Sequence, residues 1–317
     1  MTSKPKAYIL HENPDWVVPL REALKARGIP YEEWLLHAGS LNLASEPPQG
    51  VFYNRMSASS HTRGHRFGPE HTSCVLAWLE SHGRRVLNGS RALALEVNKV
   101  AQYAALRAAG VQTPETVATV GHRALLEAAK DFPTPFITKH NRAGKGLGVM
   151  LFESAAALQR AAEDALLPDP VDGVFLLQKY IKAPEPFITR VEIVGRELLY
   201  AVRVDTSEGF ELCPADACEV GDGFCPTTQS QSANPRRPKF EILPGFSSPL
   251  VEKYKALMRA HDVHIAGFEF IANADGETFT YDINTNTNYN SPAESGREQT
   301  GMGAIADLLG RELSRIC

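Results

Sequence analysis

The residues best suited to chemistry lie near the carboxyl end, in GFEFIANADGETFTYDINTNTNYN, residues 267–290. Asp275-Gly276 is a strong two-residue turn signal between aromatic and β-branched runs, which predicts a β-hairpin. That turn places Glu269 opposite Asp282, with Asn284 on the same face because side chains alternate along a strand. Two carboxylates and an amide on one face suit a hard cation such as Mg²⁺; the alternative is a solvated hairpin face. The same alternation directs five side chains to the opposite face: Phe268, Phe270, Phe279, Tyr281 and Ile283.

A glycine-rich loop, HNRAGKGLGVML, follows the predicted strand at residues 135–139 and leads into a second strand at 149–152. Rossmann and Walker loops require a helix after the glycines, so neither motif is present. Backbone N–H groups freed by glycine can instead close over phosphates. Lys139 and Lys145 would add positive charge, and the alternative is a mobile surface turn. The glycines in question are Gly144, Gly146 and Gly148.

Three arginines occupy positions from which they could bind an anion. Arg55 follows the third predicted strand, at the edge where parallel sheets bind ligands, and could hold a carboxylate with two hydrogen bonds. Arg190 and Arg203 lie on the two arms of a second predicted hairpin. Each arginine has an ordinary alternative, a solvated loop position for Arg55 and a surface ion pair for the other two.

Three cysteines cluster in ELCPADACEVGDGFC, with spacing C-x4-C-x6-C. Structural zinc sites use closely paired cysteines, and no fourth ligand is apparent here. Buried or substrate-facing thiols are therefore the better interpretation of Cys213, Cys218 and Cys225, and we predict no metal at this place.

These residues need a scaffold, and the predicted order strand, helix, strand at the amino end indicates a parallel α/β layer. Its first helix spans residues 16–27, with Gly28 just past its end. A single helix from Ser90 to Ala109 would contain Lys99, and Ser90 would be its N-cap. The apolar strand 174–178 ends at Gln178-Lys179-Tyr180, where backbone groups and apolar walls suit a purine-sized ligand. Residues 229–238 read as an exposed loop.

The totals place the chain among soluble globular proteins. It has 317 residues, of which 43% are hydrophobic and 22% charged, with a formal net charge of −4. No basic field indicates nucleic acid, and the chain has no apolar run long enough for a membrane span or signal peptide. We therefore expect a cytoplasmic protein with neither nucleic acid nor membrane as partner.

In combination these motifs resemble the ATP-grasp superfamily, and within it the RimK-like branch of carboxylate–amine ligases, named for ribosomal-protein glutamate ligases. NKVAQYAALRAAGVQTPET is similar to the lysine and "aG(I/V)..P.T" turn of that branch, and PFITKHNRAGKGLGVML to its "P.V.K...G..G.GV" flap. LLQKYI is similar to its adenine-binding strand end. GFEFI and YDIN are similar to its "GvD…EvN" metal pair, with Asp and Glu exchanged. The resemblance covers roughly residues 50–310 in order, which is more specific than any single motif.

The resemblance implies an ATP-grasp fold of the α/β (α+β) class in three domains. These are a parallel α/β domain at 1–88, a small lid domain at 89–185 and a mixed-sheet metal-binding domain at 186–317. It also implies ATP and Mg²⁺, with Mn²⁺ as a possible replacement, and a homo-oligomer is compatible with it.

The same resemblance assigns roles to individual residues. Lys99 and Lys139 would contact ATP phosphates, and the three glycines would form the lid. Gln178, Lys179 and Tyr180 would meet adenine, while Glu269, Asp282 and Asn284 would hold Mg²⁺. Arg203 would face the γ-phosphate, making Arg203 and Lys139 the catalytic residues. Arg55, Arg190 and Asn288 would approach the second substrate.

Two departures weaken a literal transfer of the family's substrate. The family's Asp-Ile-Arg triplet is Ile188-Thr189-Arg190 here, which removes an acid that would contact ribose and leaves Glu185 as the substitute. An Arg-Ser-Asn substrate segment is replaced by Glu211-Leu212-Cys213. The predicted reaction is therefore amide formation between a small-molecule or peptide carboxylate and an amine, through an acyl phosphate. The alternatives are a kinase on the same scaffold and a nucleotide-binding protein without catalysis.

Overall fold

A computed structural model describes residues 4–144, 146, 148–209 and 238–316. Four features of the sequence lie outside the described residues: Lys145, the 211–213 segment, the three clustered cysteines and most of the 229–238 loop. Within these ranges the chain forms three β-sheets. No helix in the described part is both long and apolar enough to cross a lipid bilayer.

The amino-terminal sheet is parallel, as the strand–helix–strand order predicts, with strand order β2-β1-β3-β4. Gly28 has φ of 63° and donates its N–H to the Lys25 carbonyl at 3.0 Å, which closes the first helix where expected. The elements are β1 Lys6–His11, α1 Val18–Ala26, β2 Tyr31–Leu35, β3 Gly50–Asn54, α2 Gly68–Ser81 and β4 Arg85–Leu87, with 3₁₀ turns at Asp15–Val17 and Ser60–Arg63.

The single helix expected from Ser90 to Ala109 is wrong. Two helices occur, α3 Ser90–Glu96 and α4 Lys99–Ala108. Gly89, not Ser90, precedes the first helix, while the Asn98 side chain accepts a hydrogen bond from Ala101 N at 3.1 Å and starts the second. An asparagine that bonds its own backbone competes with helix continuation. Lys99 therefore begins a helix instead of lying inside one.

The small sheet is antiparallel throughout, with order β5-β8-β6-β7. The strands on either side of the glycine loop, β6 and β7, pair with each other, which confirms the expected strand–loop–strand unit. Two helices cover the sheet and share one apolar core with it. The elements are β5 Thr116–Val120, α5 Gly121–Ala129, β6 Phe136–His140, β7 Met150–Phe152, α6 Ala155–Glu163 and β8 Val174–Lys179.

The large sheet has order β11-β10-β9-β12-β13. Helices α3 and α4 share an apolar core with one face of this sheet. The final helix, α9, packs between its other face and the amino-terminal sheet. The elements are β9 Phe187–Val194, β10 Glu197–Asp205, β11 Phe240–Leu243, α7 Leu250–Ala260, β12 Ile265–Ala272, β13 Thr278–Asn284, α8 Ser291–Glu294 and α9 Gly301–Ser314.

Asn88 joins the amino-terminal sheet to the large sheet. It is fully buried, and its amide donates to the carbonyls of Ile265 and Thr285 at 2.8 and 2.9 Å. Its side-chain oxygen accepts from the N–H groups of His264 and Ile265 at 2.8 and 3.1 Å. All the hydrogen-bonding capacity of the amide is used, so the two units are held in a defined arrangement.

Candidate functional site

A cleft of about 480 Å³ lies between the small sheet and the large sheet. This volume falls in the range of sites that enclose a nucleotide-sized ligand. The loops after β1 and β3 close one side of the cleft with Trp16, Ser57 and Ser59. Most of the residues predicted for nucleotide and metal binding line it: Lys99, Lys139, Gly144, Gly146, Gln178, Tyr180, Glu269, Asp282 and Asn284. Two residues predicted for the second substrate, Arg190 and Asn288, line it as well.

The carboxyl-terminal hairpin has the predicted pairing at its functional end but not at its turn. Glu269 lies opposite Asp282, as expected. The turn is longer than two residues, because Asn273 N donates to the Glu277 carbonyl at 3.0 Å and Ala272 pairs with Thr278. A bulge beside Glu269 restores the register. The longer turn and the bulge shift the strand register by one residue in opposite directions, so Glu269 and Asp282 are paired as predicted.

The bulge places Tyr281 in the cleft, so the prediction that it faces away is wrong. Tyr281 and Asp282, neighbours in sequence, both line the cleft. Thr280 faces the other side, where its hydroxyl lies 2.6 Å from that of Tyr254. Bulges re-aim side chains in this way. Burial, with nearby Glu269 and Asp282, raises the pKa of Tyr281 well above its usual value, so the phenol stays protonated.

Each of the two hairpin carboxylates is paired with a cation. Lys99 Nζ lies 2.6 Å from Asp282 Oδ1. Arg190 Nη1 donates to Glu269 Oε1 at 2.9 Å, and Asn284 Nδ2 donates to the same oxygen at 3.3 Å. Burial raises the pKa of Glu269 although Arg190 opposes the shift. Glu269, Asp282 and Asn284 therefore share one face, as predicted, together with two cations that can meet phosphate oxygens.

Lys139 lies across from this group, at the end of the small sheet. It is 5% exposed, and its Nζ donates to the Tyr103 hydroxyl at 2.5 Å. Tyr103 in turn donates to Gln178 Oε1 at 2.6 Å. Burial and the charge of Lys99 lower the pKa of Lys139 to about 7, against the opposite effect of Asp282 and Glu269. This amine therefore changes charge near neutral pH.

The glycine loop covers the cleft beside Lys139. Gly144 and Gly146 line the cleft, and Gly146 has φ of 75°. Gly148 has φ of 73° and packs on His140, whose ring would lie 3.1 Å from a Cβ at this position. At the far end, Tyr180 lines the cleft while the Lys179 side chain is exposed. Lys179 itself is not among the residues that line the cleft.

Arg203 does not lie with the hairpin carboxylates. It pairs across the sheet with Thr189, whereas Arg190 pairs with Glu269, so alternation places Arg203 on the opposite face. Its guanidinium stacks 3.8 Å from the centre of the Phe187 ring and donates to Glu185 at 2.5 Å. Arg190, and not Arg203, lies on the face of the hairpin carboxylates.

Arg55 supports the cleft from behind. It is 2% exposed, and its Nη2 donates to Asn288 Oδ1 at 2.7 Å and to the Thr287 carbonyl at 3.3 Å. Its Nε donates to Asn286 Oδ1 at 3.3 Å. Asn286 and Asn288 line the cleft, but Arg55 does not. Arg55 therefore bonds to the loop that carries Asn286 and Asn288 and lies behind the cleft lining.

The donor set fits Mg²⁺ only with help from a ligand. No group of three His, Cys, Asp or Glu side chains in the described part of the chain could hold a metal alone. Glu269, Asp282 and Asn284 supply two carboxylates and one amide from one face. Mg²⁺ is commonly bound by one or two carboxylates, with phosphate oxygens and water completing the octahedron. The three residues thus suit a metal that arrives with a nucleotide.

Three side chains at or beside the cleft were not predicted as site residues: Tyr103, Tyr281 and Glu192. Tyr103 lies on α4, one turn after Lys99, so a helix beginning at residue 99 would have directed attention to it. Tyr281 required knowledge of the bulge. Glu192 lies two residues after Arg190 on β9, and the alternation of side chains along a strand predicts that the two share one face.

Solved structures that resemble this chain share its fold. One is a RimK-domain ATP-grasp protein from Sphaerobacter thermophilus, at 19% identity and TM-score 0.64, with 95% of this chain and 98% of that one covered. A second is the ATP-grasp ligase PsnB with a minimal precursor, at 18% identity and TM-score 0.67, with 98% of this chain and 100% of that one covered. A third is the macrocyclase MdnC from Microcystis aeruginosa with the precursor peptide MdnA, at 14% identity and TM-score 0.61, with 97% of this chain and 100% of that one covered. No protein-family model and no curated protein matches the chain. The chain has the ATP-grasp fold.

Proposed function

We propose that this chain is an ATP-dependent ligase that joins a carboxylate to an amine through an acyl phosphate. The observation that carries the proposal is the meeting of Lys99, Arg190 and Lys139 with Glu269 and Asp282 at one end of the cleft. Three cationic side chains and a metal-binding pair in one place suit transfer of a phosphoryl group. The ATP-grasp fold, shared with ligases such as PsnB, supports the same assignment.

The residues divide the work by position. Glu269, Asp282 and Asn284 would hold Mg²⁺, which would neutralise charge on the phosphate oxygens. Lys99 and Lys139 would contact the phosphates, and the loop with Gly144, Gly146 and Gly148 would cover them. The strand end at Gln178-Lys179-Tyr180 would meet the adenine ring. We assign Arg190, and no longer Arg203, to the γ-phosphate because only Arg190 shares the carboxylate face.

The chemistry needs positioning more than a protein nucleophile. A carboxylate oxygen of the acid attacks the γ-phosphorus, and ADP leaves. The amine then attacks the acyl carbon, phosphate leaves and an amide bond forms. Both steps gain from fixed cations that stabilise charge on the group being transferred.

The comparison structures favour a peptide as one substrate. PsnB and MdnC were both solved with precursor peptides, and one PsnB structure also holds Mg and ADP. The amino-terminal sheet borders the cleft with Trp16, Ser57 and Ser59, at the edge where parallel sheets bind ligands. We therefore propose a peptide carboxylate beside this wall.

The test is an ADP-release screen across peptides, amino acids and dicarboxylates, with and without amines, followed by mass spectrometry of the product. We expect full ADP release only when both an acid and an amine are present, with a product equal in mass to their sum less water. Full release without an amine, with phosphate on the product, would identify a kinase instead. ATP binding without turnover in every mixture would contradict the ligase assignment.

A further inference from the structure

A buried carboxylate lies directly behind Arg190. Glu192 is 2% exposed and is not among the residues lining the cleft. Its Oε1 accepts from Arg190 Nε at 2.5 Å, and its Oε2 accepts from the Thr287 hydroxyl at 2.9 Å. That hydroxyl accepts in turn from Arg190 Nη2 at 2.6 Å. Two nitrogens of the guanidinium, Nε and Nη2, are thus bonded on the side away from the cleft, and the third, Nη1, donates to Glu269.

The space for this ion pair exists because residue 267 is glycine. Gly267 lies directly opposite Glu192 on the neighbouring strand β12. A Cβ at this position would lie 2.8 Å from Arg190 Nη2 and 2.9 Å from both Arg190 Nε and Glu192 Oε2. Real Cβ atoms do not approach other atoms this closely, so an alanine here must push the pair out of place.

Stability alone does not explain a carboxylate in this position. Replacing a buried ion pair with apolar residues is often neutral or stabilising, because removing both charges also removes their desolvation penalty. The arrangement does restrict where Arg190 can go. Within the described residues its ion-pair partners are Glu192 and Glu269. Without Glu192, Nε would lose its carboxylate partner and the guanidinium would be free to rotate away from the orientation that presents Nη1 to Glu269.

We propose that Glu192 is a positioning residue: it fixes the guanidinium of Arg190 from the side away from the cleft, so that Nη1 is the nitrogen presented to Glu269 and the cleft. This inference rests on the proposed function, since it concerns the arginine assigned to the γ-phosphate. Thr287 and Gly267 complete the arrangement, one as a hydrogen-bonding brace and the other by leaving room.

The first experiment compares Glu192→Gln with Glu294→Gln. Glu294 is an equally suitable buried acid, 7% exposed, but it accepts from the Tyr200 hydroxyl and Gly301 N and does not contact Arg190. We expect Glu192→Gln to lower kcat about 10- to 100-fold while KM for ATP changes by less than about threefold. Glu294→Gln should leave kcat near that of the wild type. Equal losses in the two variants, or a change in KM alone, would overturn the inference.

A second measurement needs no substrate. Selective ¹⁵N labelling of arginine allows the Nε–H signal of Arg190 to be followed, with Arg190→Lys used to assign it. We expect a shifted or lost signal in Glu192→Gln and Gly267→Ala and an unchanged one in Glu294→Gln. An unchanged signal in Glu192→Gln would overturn the inference even in an active enzyme. If the wild-type protein shows no ligation, the proposed function fails while this readout still decides whether Glu192 orients Arg190.

Discussion

The two sides of the cleft differ in the groups to which their cationic side chains are bonded. On the large sheet, Lys99 and Arg190 each pair with a carboxylate of the hairpin. On the small sheet, Lys139 has no ion pair within the described ranges; it bonds a phenol and lies 5.2 and 5.7 Å from the ring centres of Tyr103 and Tyr281. The cations on the large-sheet side are bonded to carboxylates, whereas the small-sheet side holds a buried amine with no directly bonded carboxylate among the described residues.

A site built from these two sides can be rigid and still respond to its ligand. Cations that pair with carboxylates are held in a defined geometry by charge-assisted hydrogen bonds. A buried lysine with a pKa near 7 takes up a proton most readily when an anion arrives beside it. The carboxylates of the large sheet would therefore hold the metal, and Lys139 would gain a proton when phosphate binds beside it.

The largest effect should come from the metal side. Asp282→Asn keeps the size of the side chain and removes its charge, so we expect ADP release to fall about 1,000-fold, since a bound metal stabilises transferring phosphate by several kcal/mol. Asp307→Asn is the matched control, because Asp307 pairs with Arg27 far from the cleft. Normal turnover in Asp282→Asn, measured by ADP release, would remove the metal site from the mechanism.

The next effect concerns the small-sheet side. Lys139→Met should lower kcat/KM for ATP by about 100-fold, through loss of a buried cation facing phosphate. The same change should raise the free energy of unfolding by about 1–4 kcal/mol, because methionine fills the space without a desolvated amine. Lys130→Met, an exposed change in the same unit, should alter neither quantity. Urea unfolding curves and ATP kinetics would check both, and a destabilised Lys139→Met would contradict the account of this side.

The pH dependence follows from the lowered pKa of Lys139. Between about 7 and its ordinary value of 10.5, the unfolded chain holds this proton and the folded chain does not. The Lys139 contribution to stability should therefore rise with pH across that window. Phosphate should reverse the shift, so ATP binding at pH 8 should take up a proton and weaken as the pH rises.

Calorimetry in buffers of different ionisation enthalpy would measure this uptake. Lys139→Met provides the control, because it lacks the titrating amine. Proton uptake that persists in Lys139→Met would assign the effect to another group.

The smallest effect should come from Tyr103, which links the two sides. Tyr103→Phe removes the hydroxyl between Lys139 and Gln178, and we expect KM for ATP to rise about three- to tenfold, as for loss of one hydrogen bond to a charged group. Tyr254→Phe removes a buried hydroxyl on the far face of the sheet and should leave KM unchanged. An equal rise in both variants would show a general packing effect instead of a role at the cleft.

The sequence reasoning succeeded where neighbours along the chain decide the outcome. Alternation along β13 grouped Asp282 with Asn284, and the spacing of glycines predicted the loop between β6 and β7. The pairing of Glu269 with Asp282 was correct although the assumed turn was not, because the bulge compensated for the longer turn. Arg203 was misplaced because the choice between Arg190 and Arg203 depends on which face each strand presents to the hairpin.

The amino-acid sequence was sufficient to predict most of the strands and helices, the glycine loop and the oxygen-rich hairpin face, since these depend on local periodicity and backbone conformation. Which charges meet depends on the tertiary structure. Lys99 reaches Asp282 across 183 positions, and Arg190 reaches Thr287 across 97. Such contacts depend on how sheets and helices pack, and residue spacing carries no direct information about distances between elements that are remote in sequence.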